Sequence, residues 1–82
     1  MSIEKISIRQ IKAARELLGW TQDELAEASG VSLPTIARLE AEDGQLGGRD
    51  GTQKKIVSAL EKAGIEFTNG DSAGVRLKKK RR

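Results

Sequence analysis

The sequence predicts an all-α fold, a small helical bundle followed by a short C-terminal β-hairpin or strand. Two segments open with a hydroxyl residue and carry Glu or Gln three residues later, a pattern typical of helix N-termini. Trp20 and Phe67 are the only aromatic residues, so the core has to be built from Leu, Ile, Val and Ala. With 82 residues, the chain is long enough for one small domain.

The first helix is predicted to begin after Ser7 and to run to about Leu18, before Gly19. Ser7 opens the capping box S-x-x-Q, and Ile6 and Ile11 stand where a hydrophobic staple needs them. The helix therefore has a defined start and a glycine at its end. Its expected apolar stripe consists of Ile11, Ala14, Leu17 and Leu18.

The second helix is predicted to begin at about Gln22. Thr21 and Glu24 form the capping box T-x-x-E, and Trp20 and Leu25 flank it as a staple pair. Each of these features is common in helical proteins.

Gly30 is predicted to end the second helix, because glycine adopts the left-handed conformation at low steric cost. Val31 follows as a buried plug, and Ser32 is expected to cap a third helix. Pro34 falls in the first turn of that helix, where its missing amide hydrogen costs little. The third helix is expected to turn Ile36 and Leu39 toward the core. Its outward face is expected to consist of Leu33, Pro34, Thr35, Ala37 and Arg38.

Residues 21–40 therefore have the form of a helix-turn-helix, a unit whose second helix fits the major groove of DNA. The alternative is an ordinary helical hairpin with no role in nucleic-acid binding. DNA binding is favoured by a combination of features at these spacings. They are the capping box that begins at Thr21, the small residue Ala26, the glycine Gly30 and the buried plug Val31.

The same run resembles the helix-turn-helix of the Cro and phage-repressor superfamily, often called the XRE family. The preceding segment 14–20 resembles the end of that family's first helix, and the similarity covers about residues 7–63. The resemblance implies a compact bundle of four to five helices that binds a palindromic operator as a homodimer and regulates transcription, as a repressor or autoregulator. The resembling residues are Gln22, Glu24, Leu25, Ala26, Gly30, Val31, Ser32, Thr35, Ile36, Arg38, Leu39 and Glu40.

The resemblance also implies where DNA is contacted. Gln22 would contact a phosphate, and the third helix would meet bases and backbone. Leu33 and Pro34 depart from the family, since phage repressors often carry Gln or Ser there. Neither can make a bidentate base contact, so Arg38 is the candidate for guanine, and the two apolar residues suit thymine methyl groups. The full predicted set of DNA-binding residues is Gln22, Ser32, Leu33, Pro34, Thr35, Arg38, Arg49 and Lys54.

Residues 41–51 hold four glycines and no hydrophobic period, so they are predicted to be a loop. Arg49, Lys54 and Lys55 are either phosphate contacts or solvated charges. Asp50 or Thr52 is expected to cap a fourth helix over residues 53–63, which Gly64 ends. Its inward residues are expected to be Ile56, Val57 and Leu60.

Residues 65–68 alternate as a strand does, and residues 75–77 can pair with them across a glycine-rich turn. An isolated hairpin is marginal in water, so it has to pack on the bundle or on a second subunit. We expect a dimer contact within residues 60–77, especially at Phe67; the alternative is an unstructured end. This divides the chain into a DNA-binding domain, 1–64, and a dimerisation segment with a basic tail, 65–82.

The formal net charge of +3 comes from the end of the chain, where Lys78 to Arg82 supply five of fifteen basic residues. Without them, ten basic residues face twelve acidic ones, a net of −2. A terminal block of like charge is usually disordered. The tail either attracts phosphates or is merely solvated.

Several classes of function are disfavoured by composition. The chain has no cysteine and no histidine, so it has no thiolate metal site and no ordinary acid–base group near neutral pH. We expect no enzyme activity, metal, cofactor or small-molecule ligand. No signal peptide or membrane span is evident, which predicts a cytoplasmic, nucleoid-associated protein. The alternative function is an antitoxin or adaptor that uses the same fold to capture a protein.

Overall fold

The computed structural model describes residues 6–42, 50–68 and 73–78. Within these ranges, helices precede a two-stranded antiparallel sheet, which confirms the predicted helical bundle with a C-terminal hairpin. The elements in chain order are α1 (Ile8–Leu18), α2 (Gln22–Ser29), α3 (Leu33–Glu40), α4 (Asp50–Lys62), β1 (Ile65–Thr68) and β2 (Gly74–Leu77).

Both predicted capping boxes are present. In α1, the Ser7 hydroxyl accepts from the Gln10 amide at 3.2 Å, and the Gln10 side chain accepts from the Ser7 amide at 2.9 Å. In α2, the matching distances between Thr21 and Glu24 are 3.1 and 2.8 Å. These reciprocal bonds satisfy backbone donors that the first turn of a helix leaves unpaired, so local sequence defines where both helices begin.

The ends of the first two helices also agree with the prediction. Gly19 and Gly30 follow α1 and α2 with φ of 72° and 78°, in the left-handed region. Leu17 differs, because its side chain is 46% exposed instead of joining the apolar stripe. The buried stripe of α1 continues through Leu18, which leaves Leu17, about 100° around the helix, on the outside.

The starts of α3 and α4 differ from the prediction. Ser32 occupies the N-cap position of α3, but its side chain makes no capping bond to the backbone. Its hydroxyl instead bonds the hydroxyl of Thr35 at 2.9 Å. The fourth helix begins at Asp50, so Thr52 lies inside the helix and neither residue precedes it as a cap. Gly51 does not delay the start, since one glycine costs a helix only about 1 kcal/mol relative to alanine.

One apolar core joins the helices and the hairpin. The predicted inward residues of α4 are all buried: Ile56, Val57 and Leu60. Phe67 is also buried, at 5% exposure, inside this core. The expectation that Phe67 forms a dimer contact is therefore wrong, because its ring is already covered by its own chain.

The hairpin is fastened to the bundle by Gln10, a buried residue of α1. Its side-chain nitrogen Nε2 donates to the backbone carbonyl oxygens of Thr68 and Gly74, at 3.1 and 3.0 Å. Those two residues pair at one end of the ladder. At the other end, the Lys78 amide donates to the Gly64 carbonyl at 2.8 Å. Packing against the bundle thus supplies the support that an isolated hairpin lacks.

Several predictions fall outside the described residues. They concern residues 43–49 of the loop, including Arg49, the turn 69–72 and residues 79–82 of the tail. In the part of the chain that is described, no helix is long and apolar enough to cross a membrane.

Candidate nucleic-acid interface

The second and third helices are fixed against each other by their inner faces. Leu25 of α2 is fully buried, and Ile36 of α3 is 1% exposed. Val31, between the helices, is buried as the predicted plug. Ala26 and Leu39 pack against the same core from half-buried positions. Since these contacts hold one side of α3, they determine which side it presents to the surroundings.

The outer side of α3 carries four of the eight predicted site residues. Leu33 is 40% exposed, and Pro34, Ala37 and Arg38 are exposed as well. Thr35 is half-buried beside them. No carboxylate among the described residues lies within ion-pair distance of Arg38. Its guanidinium therefore stands at the surface, on the same helix face as the apolar side chains.

The N-terminus of α3 offers backbone donors without a side-chain cap. The Ser32 side chain makes no hydrogen bond to the first-turn amides, and Pro34 has none to donate. Helix N-termini carry a partial positive charge that favours anions. The start of α3 therefore has the backbone donors and the positive potential that suit an anion.

A polar network that the sequence reading missed joins α1, α2 and α3. The Arg15 guanidinium donates from Nε to Glu40 Oε2 and from Nη2 to Glu40 Oε1, each at 2.9 Å. Arg15 Nη1 donates to the Trp20 carbonyl at 2.8 Å. Glu40 Oε1 also accepts from Gln22 Nε2 at 3.0 Å. One carboxylate at the end of α3 thus holds side chains from both preceding helices.

The burial of this network explains its geometry. The Arg15 and Glu40 side chains are only 13% and 5% exposed, so each charge needs its partner. The hydrogen bond to Glu40 raises the pKa of Arg15 above its ordinary value, although burial opposes the change. Arginine therefore stays charged throughout the neutral range. Because the pKa of Arg15 is higher in the folded state, the ion pair stabilises the fold at every pH below the ordinary pKa of arginine. This stabilisation is lost only when the pH rises through the folded-state pKa, which is strongly alkaline.

A signal for this network is present in the sequence. Glu40 lies four residues after Ile36, on the helix face that turns toward the core. A carboxylate on such a face is rarely buried without a partner, so it calls for a cation from another helix. Which cation supplies it depends on tertiary packing, since Arg15 is 25 residues away.

Gln22 lies at the start of α2, next to this network. Its side chain is half-buried, and one amide hydrogen is used in the bond to Glu40. The amide of glutamine has a second hydrogen, so the bond to Glu40 does not exhaust its donors. In this structure the bond holds the Gln22 side chain against the end of α3.

Lys54 lies on α4, outside the two helices of the helix-turn-helix. Its side chain is exposed on α4, and that helix packs chiefly against α2. Arg49 lies outside the described residues. The structure therefore places Ser32, Leu33, Pro34, Thr35 and Arg38 at the start and on the outer side of α3, whereas Lys54 lies on another helix.

Residues 11–49 match a family model described as helix-turn-helix. The match supports a Cro- and repressor-like helix-turn-helix in this segment. The match begins in α1 and includes α2 and α3, the elements that carry the network and the exposed face. A helix-turn-helix of this kind supports DNA binding and a role in transcription regulation. No curated protein matches the chain.

Proposed function

We propose that this helix-turn-helix protein is a sequence-specific repressor that binds a palindromic operator as a homodimer. The outer face of α3 carries the proposal. Leu33, Pro34, Ala37 and Arg38 are exposed on this face, while Ile36 anchors the helix from behind. A helix held in this way can enter the major groove without loss of its own packing.

Two groups of residues have different roles in the proposal. Ser32, at the uncapped start of α3, and Gln22, at the start of α2, meet phosphates and set the orientation on the duplex. Arg38 reads a base, with guanine preferred because its two acceptors match the guanidinium. Thr35 lies between Ser32 and Arg38 along α3, and it contacts the DNA backbone or a base edge. Lys54 and Arg49 add phosphate contacts beside the core site.

The homodimer follows from the small reach of one recognition helix. A single helix reads only a few base pairs, and two helices about 34 Å apart read successive turns of one duplex. Because Phe67 is buried, we place the dimer contact on the exposed part of the hairpin. Leu77 is 42% exposed there, and Val75 is half-buried. Both lie in the segment 65–82, which serves dimerisation, while residues 1–64 bind DNA.

Selection from randomised duplexes tests this function. The protein should enrich an inverted repeat whose half-sites lie one helical turn apart. Ultracentrifugation of the complex on that duplex should give two chains per duplex. Enrichment without an inverted repeat, or one chain bound to a single half-site, would contradict the homodimer.

Protein capture, as in an antitoxin or adaptor, is the second candidate. The observation that favours it is the apolar character of Leu33, Pro34 and Ala37 on an exposed helix face. Salt dependence separates the two functions. Binding to DNA weakens steeply with salt, because phosphate contacts release counterions, whereas an apolar protein contact does not. Absence of duplex binding at low salt would favour protein capture.

A further inference from the structure

The exposed side chains of α3 divide into an apolar part and a charged part. Leu33 and Pro34 lie in the first turn, and Ala37 follows them at spacings of four and three residues. Side chains at these spacings are neighbours on a helix surface. Leu33, Pro34 and Ala37 therefore form one patch, which we call the apolar patch. Arg38 lies four residues after Pro34 and borders it.

Two hydroxyl groups lie beside the apolar patch, and part of their hydrogen-bonding capacity is used within the protein. The hydroxyls of Ser32 and Thr35 bond each other at 2.9 Å, with either as donor. That bond takes one of their two hydroxyl hydrogens and leaves one for DNA. Few side-chain donors therefore remain in the first turn of α3, and its exposed side chains Leu33 and Pro34 are hydrocarbon.

Only one feature of the major groove matches a hydrocarbon surface. Thymine presents a C5-methyl group there, whereas the other exposed edges are hydrogen-bond donors and acceptors. 5-Methylcytosine presents a methyl group at the same ring position, and deoxyuridine lacks one.

We infer that the apolar patch recognises the C5-methyl groups of pyrimidines, so that the preferred half-site contains methyl-bearing pyrimidines beside the base read by Arg38. This inference rests on the proposed DNA-binding function. It assigns Leu33 as the residue that determines specificity, since it is the largest side chain of the patch and is 40% exposed. It also makes binding sensitive to cytosine methylation at the contacted positions.

A deoxyuridine scan of the selected duplex tests the inference. Each thymine is replaced singly, and the dissociation constant of the full-length protein is measured at one salt concentration. Removal of a buried methyl group should weaken binding about fourfold, equivalent to ~0.8 kcal/mol. The loss should occur at one or two positions in each half-site, and the other positions should be unaffected.

A second arm uses cytosine at the sensitive positions. The duplex with 5-methylcytosine should bind about fourfold more tightly than the duplex with unmodified cytosine, since they differ by one methyl group. Leu33→Ala should remove both differences. Arg38→Ala, the matched control, should weaken binding overall while it preserves the thymine-to-uracil ratio. If circular dichroism shows that Leu33→Ala does not fold, Pro34→Ala replaces it.

The outcomes are distinguishable. If no duplex is preferred over a scrambled one, the proposed function fails. If a preferred duplex exists but uracil substitution has no effect at any position, only the methyl recognition fails. A thymine-to-uracil ratio that persists in Leu33→Ala also overturns the assignment, because the methyl group is then read elsewhere.

Discussion

Arg15 and Glu40 form a two-bonded ion pair that joins the middle of α1 to the last residue of α3. The pair is nearly buried, and the same carboxylate accepts from Gln22. Three helices of the DNA-binding unit therefore converge on one side chain. This arrangement links the orientation of α3 to the position of a residue proposed to contact phosphate.

Glu40→Gln should lower the free energy of unfolding by about 3 kcal/mol, because it leaves the buried Arg15 charge without its partner while the side-chain volume is kept. Urea denaturation followed by circular dichroism measures this difference. Arg76→Ala is the matched control, since it breaks the exposed pair between Arg76 and Glu66. That loss should be at most about 1 kcal/mol. Equal losses in the two variants would show that Glu40 has no special structural role.

Gln22→Ala should weaken binding to specific and non-specific duplexes by a common factor. A phosphate contact carries no sequence information, so its removal changes affinity and leaves preference intact. Fluorescence anisotropy with the selected duplex and a scrambled duplex gives both values. A changed base preference in this variant would mean that Gln22 reads a base.

Arg38→Ala should weaken binding to the preferred duplex by about 1–3 kcal/mol and remove discrimination at one base pair. The measurement is a set of dissociation constants for duplexes with each base at each half-site position. Lys62→Ala, in the last turn of α4, is the control for loss of one positive charge. If Arg38→Ala weakens every duplex equally, Arg38 contacts only the backbone.

Deletion of residues 79–82 should leave the fold and base preference intact and flatten the salt dependence of binding. Each lost phosphate contact lowers the log–log slope by about 0.9. The truncation should retain Lys78, because its amide donates to Gly64 at the end of the hairpin. A duplex that extends beyond both half-sites is required. An unchanged slope would mean that these residues make no contact with DNA.

Local sequence was sufficient for the features that depend on neighbouring residues. The capping boxes at Ser7 and Thr21 and the glycine at position 30 involve bonds or dihedral angles within a few residues. The buried face of α4 followed from helical periodicity in the same way. These elements position α3, so the location of the candidate site was predictable.

Features that depend on tertiary contacts were not predictable from local patterns. Phe67 was expected at a dimer contact, yet the hairpin folds back and buries it. The partner of Glu40 comes from another helix, and the clamp by Gln10 reaches residues 58 and 64 positions away. In each case, the sequence shows a group that needs a partner but does not specify which residue provides it.

Sequence recognition by α3 is tested most directly by the ratio of dissociation constants for the selected and scrambled duplexes at one salt concentration. For the unaltered protein, the preferred duplex should bind on the order of a thousandfold more tightly. For a variant with both Leu33→Ala and Arg38→Ala, the ratio should fall toward one, while binding to the scrambled duplex changes much less. A ratio near one for the unaltered protein, or a ratio that the double variant preserves, would contradict sequence recognition by α3.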